Sequence, residues 1–210
     1  MTREIEVLSK NRVEALTDGI YAVAMTLLVL ELKLPEAHGN ATPEAFAQAL
    51  LHLIPKLVAW ILSFAILAIF WFAHHRTYDH VLHVDRKLLR INMLSMLFAS
   101  LLPFSTAMVG DYNNLFLAQA FYAANMSVLA LLAIWQLSHL VKHPELCEAP
   151  GFPRGVARGA RFRCWSLVAT TVLAMSIAYF EPRYGTMAFM LMIILGRIGR
   201  RLEAQPETNP

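Results

Sequence analysis

Between Asn11 and Leu34 the chain reads NRVEALTDGIYAVAMTLLVLELKL, an apolar run with one carboxylate, Asp18, near its leading edge. A helix of about 20 apolar residues crosses the roughly 30 Å hydrocarbon core of a bilayer, and an acid at its centre costs on the order of 2.5 to 3.5 kcal/mol. The run is long enough to span, and Asp18 therefore needs a compensating reason to be there. The rest of the chain has the same character: 57% of the 210 residues are hydrophobic and 16% charged, with a mean hydropathy of +0.49. That is more apolar surface than a soluble domain of this size buries.

The formal net charge of +3 is spread along a hydrophobic chain, which argues against a nucleic-acid partner. Cys147 and Cys164 form neither a disulfide framework nor a paired-thiolate zinc site. The amino-terminal MTREIEVLSKNR is polar, and the apolar run after it lacks a small-residue cleavage pattern, so the first span is expected to stay.

Six apolar segments can be placed, at about 14–34, 53–75, 88–109, 115–140, 162–181 and 184–198. They predict an all-α integral membrane protein, one domain over 1–210. The linker PEAHGNATPEAFAQAL has, from Pro43, the pattern of a short amphipathic surface helix, and HPELCEAPGFPRGVARG reads as a loop. With both termini in the cytoplasm, all of the 18 Lys and Arg except Lys33, Lys56 and Arg183 fall on the cytoplasmic side. This asymmetry is the positive-inside signature, and moving the topology by one span would destroy it.

In the first segment, Asn11 with Glu14 three residues on resembles a capping box, so the helix is expected to start near Arg12 with Asp18 close to the cytoplasmic interface. At about 100° per residue, Leu16, Gly19, Val23, Leu27, Leu30 and Leu34 share one stripe, Thr26 lies beside it, and Asp18 points elsewhere. The stripe either faces lipid or core, or packs against symmetry copies.

The second segment ends in FWFAHHRTYDHVLHVDRKLLRIN. Its histidines raise a metal reading on His74, His75, His80 and His83, but HExxH is absent and further histidine boxes are missing. No metal site is expected. Intramembrane polar groups usually pair with one another, so Trp71, His74, Asp85 and Asn92 are candidate partners for Asp18 and Arg12. Pro103 predicts a kink in the third segment, and Gln119, Asn125 and Gln136 predict interhelical hydrogen bonds from the fourth. The last two segments read as scaffold.

Arg12, then three residues, then Leu16-Thr17-Asp18-Gly19 running into IYAVAMTLLVLEL resembles the first-helix signature of bacterial members of the transmembrane protein 175 family of potassium channels. Trp71-Phe72-Ala73-His74-His75, Arg90-Ile91-Asn92 and Leu102-Pro103-Phe104-Ser105 continue the likeness over the first three spans. The resemblance implies a homotetramer in a bacterial plasma membrane, with the first helix lining a central pore for potassium and other monovalent cations. It implies no cofactor and no enzymatic activity. Carried over by position, the constriction would be rings of Val23, Leu27 and Leu30 with Thr26 adjacent, and the structural polar network Arg12, Thr17, Asp18, Trp71, His74 and Asn92. The signature's usual Phe-Ser is Leu16-Thr17 here, and Val23 stands where isoleucine is frequent. A thinner first ring implies weak potassium over sodium selectivity. Glu31 is a candidate for the charge at the outer mouth, where a local negative potential concentrates cations. An alternative from another class is a proton-coupled secondary transporter using Asp18 and His74.

Overall fold

A computed structural model describes residues 9–33 and 42–204, apart from the side chains of residues 193, 200 and 202–204; Leu34 of the stripe lies outside the described residues. α1 (Lys10–Leu27) continues into a 3-10 turn, Leu28–Glu31. It begins earlier than the capping-box reading placed it. Ser9 occupies the N-cap position without a side-chain hydrogen bond, and Glu14 lies 3.9 Å from Lys10 instead of closing a box with Asn11. Asn11 is inside the first turn, and a Lys-Glu pair at i, i+4 supports that turn.

α2 (Pro43–Tyr78) is one helix of 36 residues, about 54 Å long, so it outruns the roughly 30 Å hydrocarbon core. This corrects the division into a surface helix from Pro43 and a span from 53. Thr42 caps the start by accepting from the Ala45 amide at 3.2 Å, Pro43 and Glu44 suit the first turn, and Pro55 is absorbed without ending the helix. The third span is two helices end to end, α3 (Arg86–Ser100) and α4 (Leu102–Asp111). Proline cannot donate to a carbonyl four residues back, so the expected kink at Pro103 appears as the break at Leu101. Asp85 caps α3, accepting from the Leu88 amide at 2.7 Å.

α5 (Phe116–Lys142) matches its segment, whereas α6 (Arg154–Phe180) starts eight residues before the sequence boundary of 162. The stretch RGVARGAR is helical because Pro153 supplies the N-terminal boundary and Ala and Arg outweigh two glycines. The sixth apolar segment is composite: α7 (Pro182–Gly185), a 3-10 turn (Thr186–Met190) and α8 (Leu191–Ala204). By length and composition, five helical rods among the described residues are fit to cross a membrane: 10–31, 43–78, 86–111, 116–142 and 154–180.

α6 packs between α5 and α8, and α1 lies against α2, α3 and α4. The main core joins Tyr21, Ala24 and Leu28 of α1 to Ile66 and Leu67 of α2 and to Tyr122, Met126 and Leu129 of α5. Buried polar side chains stitch the rods together. Thr106 Oγ1 sits 2.8 Å from both Ser63 Oγ and the Leu102 carbonyl, and Ser63 Oγ is 3.0 Å from the Tyr122 hydroxyl. Asn125 donates to Ser105 at 3.2 Å, and Thr186 donates to Gln119 at 2.7 Å. Two of the three amides singled out in the fourth segment thus bridge helices; the Nε2 of the third, Gln136, has no hydrogen-bond partner. At the α2–α3 end, the loop after α2 and the loop after α5 meet in an antiparallel bridge, Val81 with Cys147, over a second apolar cluster that includes Val13, Tyr78 and Leu140.

Candidate functional site

α1 shows two apolar faces. Val13, Thr17, Tyr21, Ala24 and Leu28 follow helical spacing and are buried. On the other side Leu16, Val23, Leu27 and Leu30 are 49%, 54%, 42% and 62% exposed, and a Cβ built at Gly19 would meet nothing within 4 Å. One buried face is enough to dock the helix. The second is an apolar surface that stays largely open among the described residues.

The 3-10 turn sharpens that second face. In a 3-10 helix residues i and i+3 eclipse, so Leu30 stacks over Leu27 where an α-helix would have rotated it aside. Thr26, exposed beside the stripe, turns its hydroxyl back to donate to the Val23 carbonyl at 2.8 Å. By the same eclipsing, Glu31 stacks over buried Leu28. It is half-buried at the end of α1, in a small cavity it shares with Lys56, Trp60 and Asp111, where Lys56 and Asp111 form an ion pair. Glu31 therefore lies on the core side of the helix end, not on the stripe.

Two consecutive residues of α1 bond to two different helices. Thr17 is fully buried; its hydroxyl donates to the Val13 carbonyl and accepts from Asn92 Nδ2 of α3, both at 2.8 Å. Asp18 accepts from Trp71 Nε1 of α2 at 2.8 Å, and the Trp71 ring stacks on His75 with centroids 5.8 Å apart. An interfacial carboxylate held by an indole N–H is a charge-assisted bond, which supplies the compensation Asp18 requires.

The other expected members of this network make no hydrogen bond to Asp18 or Thr17. Arg12 is exposed. The His74 ring lies 4.1 Å from Tyr78, and its Nε2 has no hydrogen-bond partner. Asp85 was expected to serve Asp18 or Arg12; it is occupied by the α3 cap and by His139, whose Nε2 donates to it at 2.9 Å. His139 was not singled out in the sequence, and the only signal for it was a histidine in the last turn of an apolar helix. Asp18 and His74, the pair named in the carrier alternative, make no hydrogen bond to each other. Among the described residues no group of three or more His, Cys, Asp or Glu could hold a metal ion.

An all-helical chain of long apolar rods, with polar pairs locking one rod so that an apolar stripe faces outward, defines a polytopic membrane protein. The model of the endosomal/lysosomal potassium channel TMEM175 family matches residues 12–103, the stretch that contains both polar pairs. A potassium channel of Streptomyces collinus is 35% identical over 159 residues, covering 73% of this chain and 74% of its own. A potassium channel of a Chryseobacterium species is 27% identical over 203 residues, covering 96% of this chain and all of its own. The crystal structure of a lysosomal potassium-selective channel TMEM175 homolog from Chamaesiphon minutus superposes with a TM-score of 0.77 at 24% identity, over 90% of this chain and 97% of that one. The chain belongs to the TMEM175 family.

Proposed function

We propose that the protein is one subunit of a potassium-permeable cation channel, a homotetramer in which α1 of each copy lines the pore. The observation that carries this reading is the second apolar face of α1, exposed along its length while Thr17 and Asp18 hold the helix from behind. Four such faces around an axis form stacked rings of Val23, Leu27 and Leu30, with Thr26 at their edge. Hydrophobic rings gate by dewetting and need no carbonyl filter. Potassium channels among its relatives supply the ion. Val23 gives the first ring the least bulk of the three, which fits weak selectivity for potassium over sodium. Glu31 acts on the outer mouth through its field, since it does not lie on the stripe.

The chain forms a single channel domain over 1–210 and is not an enzyme. The composite segment 182–204 completes six spans, both termini are cytoplasmic, and the membrane is the bacterial inner membrane, in keeping with the Lys and Arg asymmetry. Purified protein in liposomes is expected to pass potassium and caesium, and Leu27→Ala, which opens one ring, is expected to raise the flux severalfold. A silent wild type together with a silent Leu27→Ala variant would sink the channel reading. Crosslinking in detergent is expected to trap four copies through cysteines placed at Val23; crosslinking only through another helix would displace α1 from the axis.

A further inference from the structure

Where α1, α2, α3, α5 and α6 converge, a cavity of about 60 Å³ lies among them. Tyr21 lines it from the buried face of α1, so the cavity is behind that helix, away from the stripe of Val23, Leu27 and Leu30. Most of the wall is apolar, with Ile66 and Phe70 from α2, Leu129 from α5 and Leu167 from α6. A wholly apolar cavity stays dry.

This one is interrupted by polar side chains from three helices: His74 and Thr77 of α2, Ser95 of α3 and Gln136 of α5. Gln136 is 6% exposed, and neither its Nε2 nor His74 Nε2 has a hydrogen-bond partner among the described residues. The Tyr78 hydroxyl comes near Gln136 without completing a bond. Thr77 and Ser95 donate to the Ala73 and Ile91 carbonyls, at 2.8 and 3.0 Å, and each hydroxyl oxygen can still accept. Arg163 reaches the same wall and has its own contact within the chain. A buried donor without a partner costs its full desolvation, so two unpaired nitrogens around one cavity point to something small between them. Size narrows what that is. An aromatic ring fills a cavity of about 150 Å³, whereas a water needs only about 10 to 15 Å³ and about two to four polar partners. By that measure the cavity takes a few waters and no lipid tail.

We infer that this cavity holds ordered water, bonded to His74 Nε2 and Gln136 Nε2 and accepted by the Thr77 and Ser95 hydroxyls, joining α5 to α2 and α3 behind α1. Water-mediated bonds are nearly as favourable as direct ones, and polar bridges of this kind hold membrane helices together. The first test is a density map of the full chain in detergent fine enough to show single waters. Discrete peaks within hydrogen-bond distance of both nitrogens are expected; a map without density there, or with the continuous density of a lipid or detergent tail, overturns the site. The second is pulsed X-ray footprinting, in which bound water releases hydroxyl radicals beside side chains that bulk solvent does not reach. Tyr21, on the cavity wall, is expected to be modified severalfold faster than Tyr122, which is also buried but lies outside the wall. Gln136→Leu removes one anchor and is expected to slow modification of Tyr21 while leaving Tyr122 unchanged. Equal rates for the two tyrosines in the wild type overturn the site. A higher thermal midpoint for Gln136→Leu also overturns it, because it would show that the amide had been buried unpaired.

Discussion

Thr17 and Asp18 leave α1 about 100° apart and so reach two different helices, α3 through Asn92 and α2 through Trp71. Two bonds from adjacent residues resist rotation better than two bonds along one face. Thr17→Val would strand the Asn92 amide in a buried site where Asn92 Oδ1 already has no hydrogen-bond partner, at about 1 to 2 kcal/mol. The expected result is a lower thermal midpoint in detergent, partly restored by Asn92→Leu in the same background. No restoration would show that Asn92 is held by something other than Thr17. Asp18→Asn keeps an oxygen to accept from Trp71 but removes the charge assistance, so assembly or gating should suffer more than ion preference. An altered ion preference with intact assembly would instead place Asp18 in the ion path. Outside the spans, burial pushes the Cys147 thiol up, so this cysteine is kept protonated and should react sluggishly with maleimide at pH 7.

Among the elements, α7 makes a tight joint with α6. A Cβ built at Gly185 would stand 2.8 Å from Ala178 Cβ and 3.1 Å from the Ala174 carbonyl, so α6 and α7 touch through a missing side chain. Gly185→Ala is expected to cost about 1 to 3 kcal/mol by overpacking, read as a drop in thermal midpoint, with the neighbouring Met187→Ala, at an exposed position, as the mild control. Much of the fold was legible at this scale, because length and hydropathy set where rods begin and end. The boundaries that slipped share a cause. Polar or Pro-bearing helix extensions, such as the first turns of α2 and α6, carry no hydropathy signal, although Thr42-Pro43 and Pro153 mark their starts. The stripe Leu16, Val23, Leu27, Leu30 was readable from 3.6-residue spacing alone, and so was its separation from Asp18. The placement of Glu31 was not, because it depends on four residues tightening into a 3-10 turn, and Leu28–Glu31 looks like any other apolar helix end. Asp85 does not serve Asp18 or Arg12 because, standing just before Arg86, it is the N-cap of α3 and meets His139 of α5.

For the whole molecule, Leu117, Tyr179 and Phe180 are 74%, 74% and 81% exposed among the described residues, apolar surface of the kind that lipid or further copies cover. Its two halves are joined differently. The polar pairs Thr17–Asn92 and Asp18–Trp71 lie wholly within the first half, while Ser63–Tyr122, Ser105–Asn125, Asp85–His139 and the Val81–Cys147 bridge fasten the second half onto it. This division sets a timetable for biogenesis. A ribosome that has released Asn92 has already released both polar partners of α1, Trp71 and Asn92, before the α5 residues that share its core. Cysteines at Thr17 and Asn92 in a nascent chain stalled beyond Asp111, a stretch with no natural cysteine, should therefore crosslink before α5 is made. If they crosslink only in the finished chain, the second half is the template and the first half its passenger.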